Sequence, residues 1–485
     1  MADASITMMI YGPARAVKAC CIAATAGVYS LGRAKPAEAG EEEGAVNRRE
    51  FLKWTSLGAA AAWGAPWPSR AADAPVPPRP NIIFILSDDY GIGGVGCYGA
   101  DGFQTPHLDA LAATGLRFEH CFSAPLCGPS RALCMTGRYP FRTGVVDNST
   151  GDKAHPRTEV PIARVLKGAG YATAVAGKWR QLSHFSTVED ANAWGFDEFL
   201  IWGVGTRGER YWDPDYNHNG KPLAAAKGKY GPDLLHEFVV DFAQRHKAEP
   251  FFVYYPTPLI HGPILRTPDT VAGKGTLLAD NVAYLDKLVG RLVADLDRLG
   301  LREKTLIVFT GDNGSVRGGT IGGKPIDGGK GSMREGGSRV PLIANWKGVA
   351  PAGQVTKDLV DFSDFFPTFA ELAGAKLPEG VTIDGRSFAP QLRGQAGTPR
   401  EWVYIQLGSR YYVRSARWKL NQAGELFDMR DAPFREIPVP ADGADPEAAA
   451  ARKALRAALD ALRPGAEPPA AQDEPQRKAR KGKRR

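Results

Sequence analysis

Apolar, β-rich runs alternate with helical segments from residue 81 to about residue 372, and this alternation limits the folds open to the chain. The runs NIIFILS (81–87) and TLIVFTG (305–311) have the length and composition of buried strands. Between them, DLLHEFVVDFAQRHK (233–247) shows the apolar spacing of a helix. The alternation predicts an α/β fold, with a doubly wound, mostly parallel sheet and helices on both faces. A chain of 485 residues has room for this domain and a smaller one.

Two of the strand-like runs end in acidic and amide side chains. Asp88 and Asp89 follow the first run, and Asp312 and Asn313 follow the second. Carboxylates at a strand end are often only a cap or part of a solvated loop, but ligands of open α/β sheets bind outside the carboxyl ends of the strands. The four side chains offer oxygen donors, which suit a hard cation, calcium or magnesium, rather than zinc.

The run LCGPSRALCMTGRYP, residues 126–140, concentrates reactive and charged residues in a short stretch. Cys127 stands two residues before Pro129 and four before Arg131, and a Thr-Gly-Arg triplet follows at 136–138. A lone Cys-x-Pro is most often an ordinary buried thiol. Residues four apart in a helix share one face, so Arg131 is expected to lie beside Cys127.

This block closely resembles the signature of the type I sulfatases, in which Cys-x-Pro-Ser-Arg is followed by Thr-Gly-Arg. The resemblance implies the alkaline-phosphatase-like fold, and it implies that a formylglycine-generating enzyme oxidises Cys127 to formylglycine. In that family the hydrated aldehyde is the nucleophile, one hydroxyl attacking sulfur and the other expelling sulfate. The resemblance also implies a metal site for Ca²⁺, or for Mg²⁺, on Asp88, Asp89, Asp312 and Asn313, with the modified Cys127 as fifth ligand.

Three further segments match the family in sequence order, although each is a weak signal alone. Lys178 in Gly-Lys-Trp and Lys330 in the stretch GGKGSMREGGSRVPLI resemble the two lysines that face sulfate, and His261 in His-Gly-Pro resembles the histidine near the leaving group or sulfate. The candidate catalytic residues are therefore Cys127, Arg131, Lys178, His261 and Lys330.

One position departs from the family pattern. Family members usually carry a histidine directly after Gly-Lys-Trp, where this chain has Arg180. Either Arg180 takes that position or an altered loop returns His184 to it. Arginine binds an anionic oxygen but does not accept a proton at ordinary pH, so the deprotonation of the second hydroxyl is left open.

The first 74 residues are expected to lie outside the fold. Arg48 and Arg49 form a twin-arginine pattern, an apolar run too short for a membrane span follows, and Ala72-Asp73-Ala74 offers small residues for cleavage. Residues 1–74 are thus predicted to be a twin-arginine signal region with an N-terminal extension. The expected partner is the twin-arginine export machinery, and the expected location is the periplasm or the outside of a bacterial cell.

The remainder divides into three regions. Residues 78–374 are predicted to form the catalytic α/β domain. Short strands within residues 375–440 resemble the small antiparallel C-terminal subdomain of sulfatases, giving an α+β subdomain. Residues 441–485 combine an Ala/Pro-rich helix with a disordered basic tail, RKARKGKRR, which carries seven of the positive charges behind the net charge of +8. Since the rest of the chain is nearly neutral, no nucleic-acid partner is expected.

The leading hypothesis for function is an exported sulfatase acting on a sulfated small molecule or glycan, that is, a carbohydrate or aryl sulfate. Two alternatives stay open at this point: a phosphate or phosphonate monoester hydrolase of the same superfamily, and an inactive sulfatase-like binding protein. Trp202, Tyr211, Trp212 and Tyr216 in the insert at 199–220 either line the pocket or form a small local core. Disulfides among Cys97, Cys121 and Cys134 cannot be deduced.

Overall fold

Seventeen strands make up the sheets of the protein in a computed structural model, which describes residues 79–179, 189–202, 208–223, 226–316 and 318–462. The strands are β1 (Asn81–Ser87), β2 (Leu116–Phe122), β3 (Ala172–Lys178), β4 (Glu198–Trp202), β5 (Asn217–His218), β6 (Lys221–Pro222), β7 (Phe251–Tyr255), β8 (Thr305–Gly311), β9 (Thr320–Ile321), β10 (Lys324–Pro325), β11 (Arg339–Trp346), β12 (Gln354–Asp361), β13 (Val403–Leu407), β14 (Arg410–Arg414), β15 (Trp418–Asn421), β16 (Leu426–Asp428) and β17 (Ile437–Val439).

Helices of very different length connect these strands. The α-helices are α1 (Pro106–Ala113), α2 (Cys127–Thr136), α3 (Pro140–Thr143), α4 (Ile162–Gly168), α5 (Glu189–Ala193), α6 (Gly231–Arg245), α7 (Leu277–Arg298), α8 (Glu335–Ser338), α9 (Phe365–Leu372), α10 (Ala389–Leu392) and α11 (Pro446–Leu462). Short 3₁₀ turns lie at Ile92–Gly94, Gly96–Tyr98, Gly151–Lys153, Arg302–Lys304 and Phe362–Asp364.

Ten strands form one large sheet in the order β12-β2-β11-β8-β1-β7-β3-β4-β5-β6. The five central strands, from β8 to β4, run parallel. The register of the pair β1–β8 sets Ser87 opposite Gly311. The next residue of each strand therefore lies at the same edge of the sheet, and this edge carries the candidate site.

Helices cover both faces of the sheet, as the alternation of runs predicts. Ile82, Phe84 and Leu86 of β1 belong to a core that includes α2, α4 and α9. Ile83 and Ile85 point to the other face, into a core that includes α1, α6 and α7. All seven residues of β1 are buried, which is typical of a parallel strand covered on both sides.

Strand β11 differs from the mostly parallel expectation, because it runs antiparallel to both β8 and β2. A parallel return requires a long crossover connection, usually a helix. Between β8 and β11 the chain forms loops, the hairpin β9–β10 and the four-residue helix α8. The loops in this connection carry several of the candidate site residues.

A separate sheet of five short antiparallel strands, β13 to β17, follows in sequence order. All five strands lie within residues 375–440, where the sequence predicts short strands. Helix α11 packs against β14 and β15 through Leu455 and Leu459, which are buried. The large mixed sheet and the small antiparallel one confirm the predicted fold class.

Some sequence predictions fall on residues that the structure does not describe: the signal region at 1–74, Arg180, His184 and the tail at 477–485. Within the described ranges, Cys97, Cys121, Cys127 and Cys134 are all free thiols. No helix among the described residues is long and apolar enough to cross a membrane.

Candidate active site

The carboxyl ends of β1 and β8 bring four predicted metal ligands together. Asp88, Asp89, Asp312 and Asn313 are all buried. The backbone N–H of Asp312 donates to the carbonyl of Ser87 at 2.9 Å, and that of Asp89 donates to Oδ1 of Asp312 at 3.0 Å. Asp89 has a φ of 62°, a left-handed conformation that aspartate tolerates better than most residues. The two strand ends are thus tied directly to each other.

Cys127 begins helix α2 at the centre of this group. Its Sγ lies 3.4 Å from Oδ1 of Asp88 and 3.8 Å from Oδ1 of Asp89, and the residue has no exposed surface. The Ser130 hydroxyl donates to the carbonyls of Ala124 and Leu126, which fixes the turn before the helix. Burial raises the pKa of the Cys127 thiol well above its ordinary value, so the sulfur is a neutral thiol at ordinary pH.

Arg131 lies one helical turn beyond Cys127 and points into the same cluster, as the spacing predicts. Its Nη2 is 2.6 Å from Oδ2 of Asp312 and 3.7 Å from Oδ1 of Asp88. The guanidinium has no exposed surface, and Nη1 also reaches the carbonyl of Lys178 at 3.4 Å. Arg131 therefore links the three strand ends β1, β3 and β8.

Lys178 reaches the cluster from the end of β3. Its Nζ donates to both carboxylate oxygens of Asp88, at 2.7 and 2.9 Å. The residue before it, Gly177, has a φ of 128°, and a Cβ there would lie 2.1 Å from the carbonyl oxygen of Pro256. Only glycine allows β3 to approach the chain after β7 this closely. The close approach fixes the backbone position from which the Lys178 side chain extends.

Lys330 and His261 lie on the side of the cluster that is open to solvent. The Lys330 ammonium pairs with Asp89 and lies 3.5 Å from Sγ of Cys127, with 17% of its side chain exposed. His261 Nε2 lies 3.8 Å from Oδ2 of Asp89, with 32% of its side chain exposed. A substrate would therefore meet these two residues first. We call the full set the catalytic cluster: Asp88, Asp89, Cys127, Arg131, Lys178, His261, Asp312, Asn313 and Lys330.

The donor set fits a hard divalent cation. One ligand atom from each of Asp88, Asp89, Cys127 and Asp312 lies within 4.8 Å of the others. The amide nitrogen of Asn313 donates to Asp89 and to the carbonyl of Gly314, while its buried Oδ1 has no partner among the described residues. Buried polar atoms are rarely left unpaired, so Asn313 Oδ1 is an oxygen available to a metal.

The pKa values of two neighbouring carboxyls shift in opposite directions. Burial raises the pKa of Asp88, but the charges of Lys178, His261 and Arg131 outweigh it and hold the pKa far below its ordinary value. Burial and the negative charge of Asp88 raise the pKa of Asp312. A bound dication would favour the ionised form of both carboxyls, since it is the largest charge such a site can hold.

Sequence reasoning missed one residue at the open side, Arg210. Its Nη2 lies 3.0 Å from Nδ1 of His261, and its guanidinium lies 4.6 Å from the centre of the Trp202 ring. No spacing signal could find this contact, because Arg210 and His261 are 51 residues apart. Arg210 thus contacts His261 through both the ring and the backbone carbonyl.

Most of the aromatic residues of the insert belong to the core. Trp202, Tyr211 and Tyr216 are 5%, 1% and 2% exposed and pack with the helices of one sheet face. The Tyr211 hydroxyl donates to the carbonyls of Pro258 and His261. These three side chains therefore belong to the core on one face of the sheet, and the pocket-lining hypothesis stays a prediction.

Comparison with known proteins identifies the family. Residues 80–375, more than half of the chain, match the family model named Sulfatase. The chain belongs to the sulfatase family. Arylsulfatase A of Homo sapiens is 34% identical over 410 residues, which cover 72% of this chain and 76% of that protein. N-acetylgalactosamine-6-sulfatase of Canis lupus familiaris is 33% identical over 370 residues, covering 69% and 70%.

Solved structures agree with this sulfatase assignment. The crystal structure of Ps i-CgsB in complex with k-i-k-neocarrahexaose superposes with a TM-score of 0.69 and 28% identity, covering 79% of this chain and 92% of that one. The family, the alkaline-phosphatase-like fold and the enzyme class, sulfuric ester hydrolase, are thereby confirmed. The roles of the individual residues of the catalytic cluster stay predictions.

Proposed function

We propose that this sulfatase is an exported enzyme that hydrolyses sulfate esters of carbohydrates or aryl compounds, using formylglycine at position 127 and a divalent cation, Ca²⁺ or Mg²⁺. One observation carries the proposal: the fully buried Sγ of Cys127 lies within 3.8 Å of two carboxylates and 3.5 Å from the Lys330 ammonium. An unmodified thiol is a soft, neutral donor that fits poorly among hard oxygen ligands. An oxygen ligand at position 127 would complete the set of hard donors around the cation.

The surrounding side chains are suited to an anionic ester. When bound, the cation would act as a Lewis acid, and the formylglycine hydrate would supply the attacking oxygen. Lys178, at the end of β3, and Lys330, in the loop between β10 and α8, pair with Asp88 and Asp89 and can hold sulfate oxygens as negative charge shifts in the transition state. His261, at the open side, is placed to pass a proton to the departing ester oxygen.

The charge of the cluster supports an anionic substrate. Three carboxylates, of Asp88, Asp89 and Asp312, face three cationic groups in ion pairs within 4 Å. A dication would add two positive charges to a balanced set. A sulfate monoester, which carries one negative charge, would then enter a site of opposite sign and be attracted to it.

The names of relatives support the two substrate classes in the proposal without choosing between them. One relative is an arylsulfatase and another acts on N-acetylgalactosamine 6-sulfate by its name, while a solved neighbour holds k-i-k-neocarrahexaose.

The twin arginines at 48 and 49 support export through the twin-arginine machinery. Cell fractionation of an Arg48→Lys/Arg49→Lys variant tests this, since undiminished periplasmic recovery would refute it.

The central test is the variant Cys127→Ser, made in the native host beside Cys134→Ser. Cys134 is a second buried thiol of helix α2, and its sulfur lies 3.3 Å from the carbonyl of Arg131 in the same helix. We expect Cys127→Ser to lose turnover by about 10⁶-fold, the scale typical when a covalent nucleophile is removed, and Cys134→Ser to stay active. Intact-mass measurement of the wild type reports conversion of Cys127.

Two outcomes would overturn the proposal. An unmodified Cys127 in active enzyme, or full multiple-turnover activity of Cys127→Ser, would remove formylglycine from the mechanism. Hydrolysis of a phosphate ester in preference to the sulfate ester of the same phenol would favour the sister hydrolase activity instead.

A further inference from the structure

The loop that carries Lys330 has little intrinsic order of its own. Gly328 and Gly331 flank it with φ values of 88° and 80°, conformations that glycine alone adopts readily. The backbone N–H groups of Lys330 and Gly331 donate to the carbonyls of Ser315 and Pro125, at 3.1 and 2.9 Å. These two bonds tie one side of the loop to the main domain, but glycine-rich backbone is costly to fix in one conformation.

The other side of the loop is tied to the small antiparallel sheet. Lys419 of β15 donates from Nζ to the carbonyl of Met333 at 2.6 Å. The Asp327 N–H donates to the carbonyl of Pro433 at 2.9 Å. The Glu335 N–H donates to a carboxylate oxygen of Glu436 at 3.2 Å. Three hydrogen bonds therefore join the loop that carries Lys330 to the small sheet and its connecting segments.

Glu335 is the centre of these contacts. Its Oε1 accepts from Nε of Arg414 on β14 at 2.6 Å, and its Oε2 lies 3.4 Å from Arg339 at the start of β11. Both Glu335 and Arg414 are 1% exposed. Burial raises the pKa of Glu335, but the charges of Arg414, Arg339 and Lys419 outweigh it and lower the pKa below its ordinary value.

Two further contacts lie next to Glu335. Lys419 also pairs with the Glu436 carboxylate at 2.8 Å, and the Tyr412 hydroxyl lies 2.6 Å from Oγ of Ser338, three residues beyond Glu335. Every one of these groups is buried. We call the ionic members the junction cluster: Glu335, Arg339, Arg414, Lys419 and Glu436.

We propose that Glu335 and Arg414 are positioning residues, through which the small sheet holds the Lys330 ammonium beside Cys127 and Asp89. The inference rests on the proposed function, which gives Lys330 its role in holding sulfate. Two backbone bonds hold the glycine-rich segment around Lys330 to the main domain, and a second fixed point lies five residues later, where the buried carboxylate of Glu335 meets the guanidinium of Arg414. A displacement of about 1 Å in a catalytic group can lower a rate by as much as roughly 10²-fold.

A double-mutant cycle on the full-length, metal-loaded enzyme tests this. Arg414→Lys keeps the positive charge but loses the planar fork that fixes Glu335. We expect it to lower kcat by roughly 10-fold with little change in KM. In the Lys330→Ala background the same change should lower kcat no further, because the group being positioned is already absent. The control is Arg417→Lys, a change of the same type beside the same sheet. Arg417 pairs with Asp428 and Glu447, and its replacement should leave kcat unchanged.

Each result decides a different point. Additive losses in the cycle, or wild-type kcat in Arg414→Lys, would overturn the positioning role while leaving the proposed function intact. A Lys330→Ala variant with wild-type kcat/KM would overturn both the positioning role and the proposed role of Lys330. If Arg414→Lys does not fold, Tyr412→Phe takes its place, since it removes only the hydroxyl bond to Ser338 and the same non-additivity is expected.

Discussion

The catalytic cluster and the junction cluster both contain buried charge, and they differ in how completely their polar atoms are paired. In the catalytic cluster, Asn313 Oδ1 has no hydrogen-bond partner and the thiol of Cys127 is packed against carboxylates. In the junction cluster, no buried side-chain atom is left without a partner among the described residues. Buried charge therefore does not by itself mark a reactive site. What distinguishes the catalytic cluster is that an unpaired oxygen and a thiol lie among three grouped carboxylates.

The comparison predicts that a change in the catalytic cluster removes bound metal and activity together. Asp312→Asn keeps the shape of the side chain but removes a charged oxygen ligand. We expect bound metal to be lost, and with it several kcal/mol of transition-state stabilisation, on the order of 10⁴-fold in kcat/KM. Elemental analysis beside a kinetic assay measures both effects.

The matched control for this prediction is Asp286→Asn. Asp286 is also a buried aspartate, but its carboxylate only accepts from the backbone N–H groups of His107 and Leu108 at the start of helix α1. Its replacement should leave metal content unchanged. Full metal content and normal activity in Asp312→Asn would mean that the cation site lies elsewhere.

A change in the junction cluster should affect stability more than it affects metal binding. Arg414→Met leaves the buried Glu335 carboxylate facing only Arg339, and breaking a buried pair in this way typically costs about 3–5 kcal/mol. We expect the free energy of unfolding in denaturant to fall by that amount. Arg417→Met, at a more exposed pair, should cost about 1 kcal/mol or less.

A second substitution sharpens this prediction. In Arg414→Met/Glu335→Gln the buried carboxylate is gone and Arg339 keeps its bonds to the carbonyl of Glu119, so part of the lost stability should return. Equal stability of Arg414→Met and the wild type would show that the junction cluster does not anchor the fold, and the contrast between the two clusters would fail.

The smallest expected effect is a pH dependence of stability beside the junction cluster. Burial, with the charges of Arg339 and Arg414, lowers the pKa of His120 to about 3. The unfolded chain binds a proton at about pH 6.5, so between pH 6.5 and 3 the unfolded state holds more protons and the native state loses stability as pH falls. By pH 4.5 this should amount to about 2.5 kcal/mol relative to pH 7.

His120→Gln should remove that part of the acid sensitivity, whereas the exposed His218→Gln should not. Denaturant unfolding at pH 7 and pH 4.5 measures the difference for each protein. An identical loss in wild type and His120→Gln would show that His120 gains its proton readily in the folded state.

The sequence predicted the catalytic cluster well, because its members lie in short motifs and at strand ends. Asp88 and Asp312 follow continuous apolar runs, which end at one edge of a parallel sheet. Arg131 follows Cys127 by one helical turn, and the structure places both in the same cluster. Local periodicity and strand direction are enough to bring these residues together.

The junction cluster could not be predicted in the same way. Glu335 in helix α8 and Arg414 in strand β14 are 79 residues apart, so no periodic pattern relates them. The antiparallel direction of β11 was missed for a related reason, since direction depends on what connection the chain takes and not on the strand's own composition. Tyr211 lies outside the strands and helices, and only tertiary packing buries it.

The complete burial of Cys127 restricts when it could be modified. An enzyme that oxidises this side chain needs access to it, and access ends once Asp312 pairs with Arg131, a contact that joins residues 181 positions apart. A ribosome adding about 5–20 residues per second needs roughly 10–40 s to make that length of chain. On the proposed function, conversion of Cys127 would therefore belong to those seconds, and a chain that folds slowly would be converted more completely than one that folds fast.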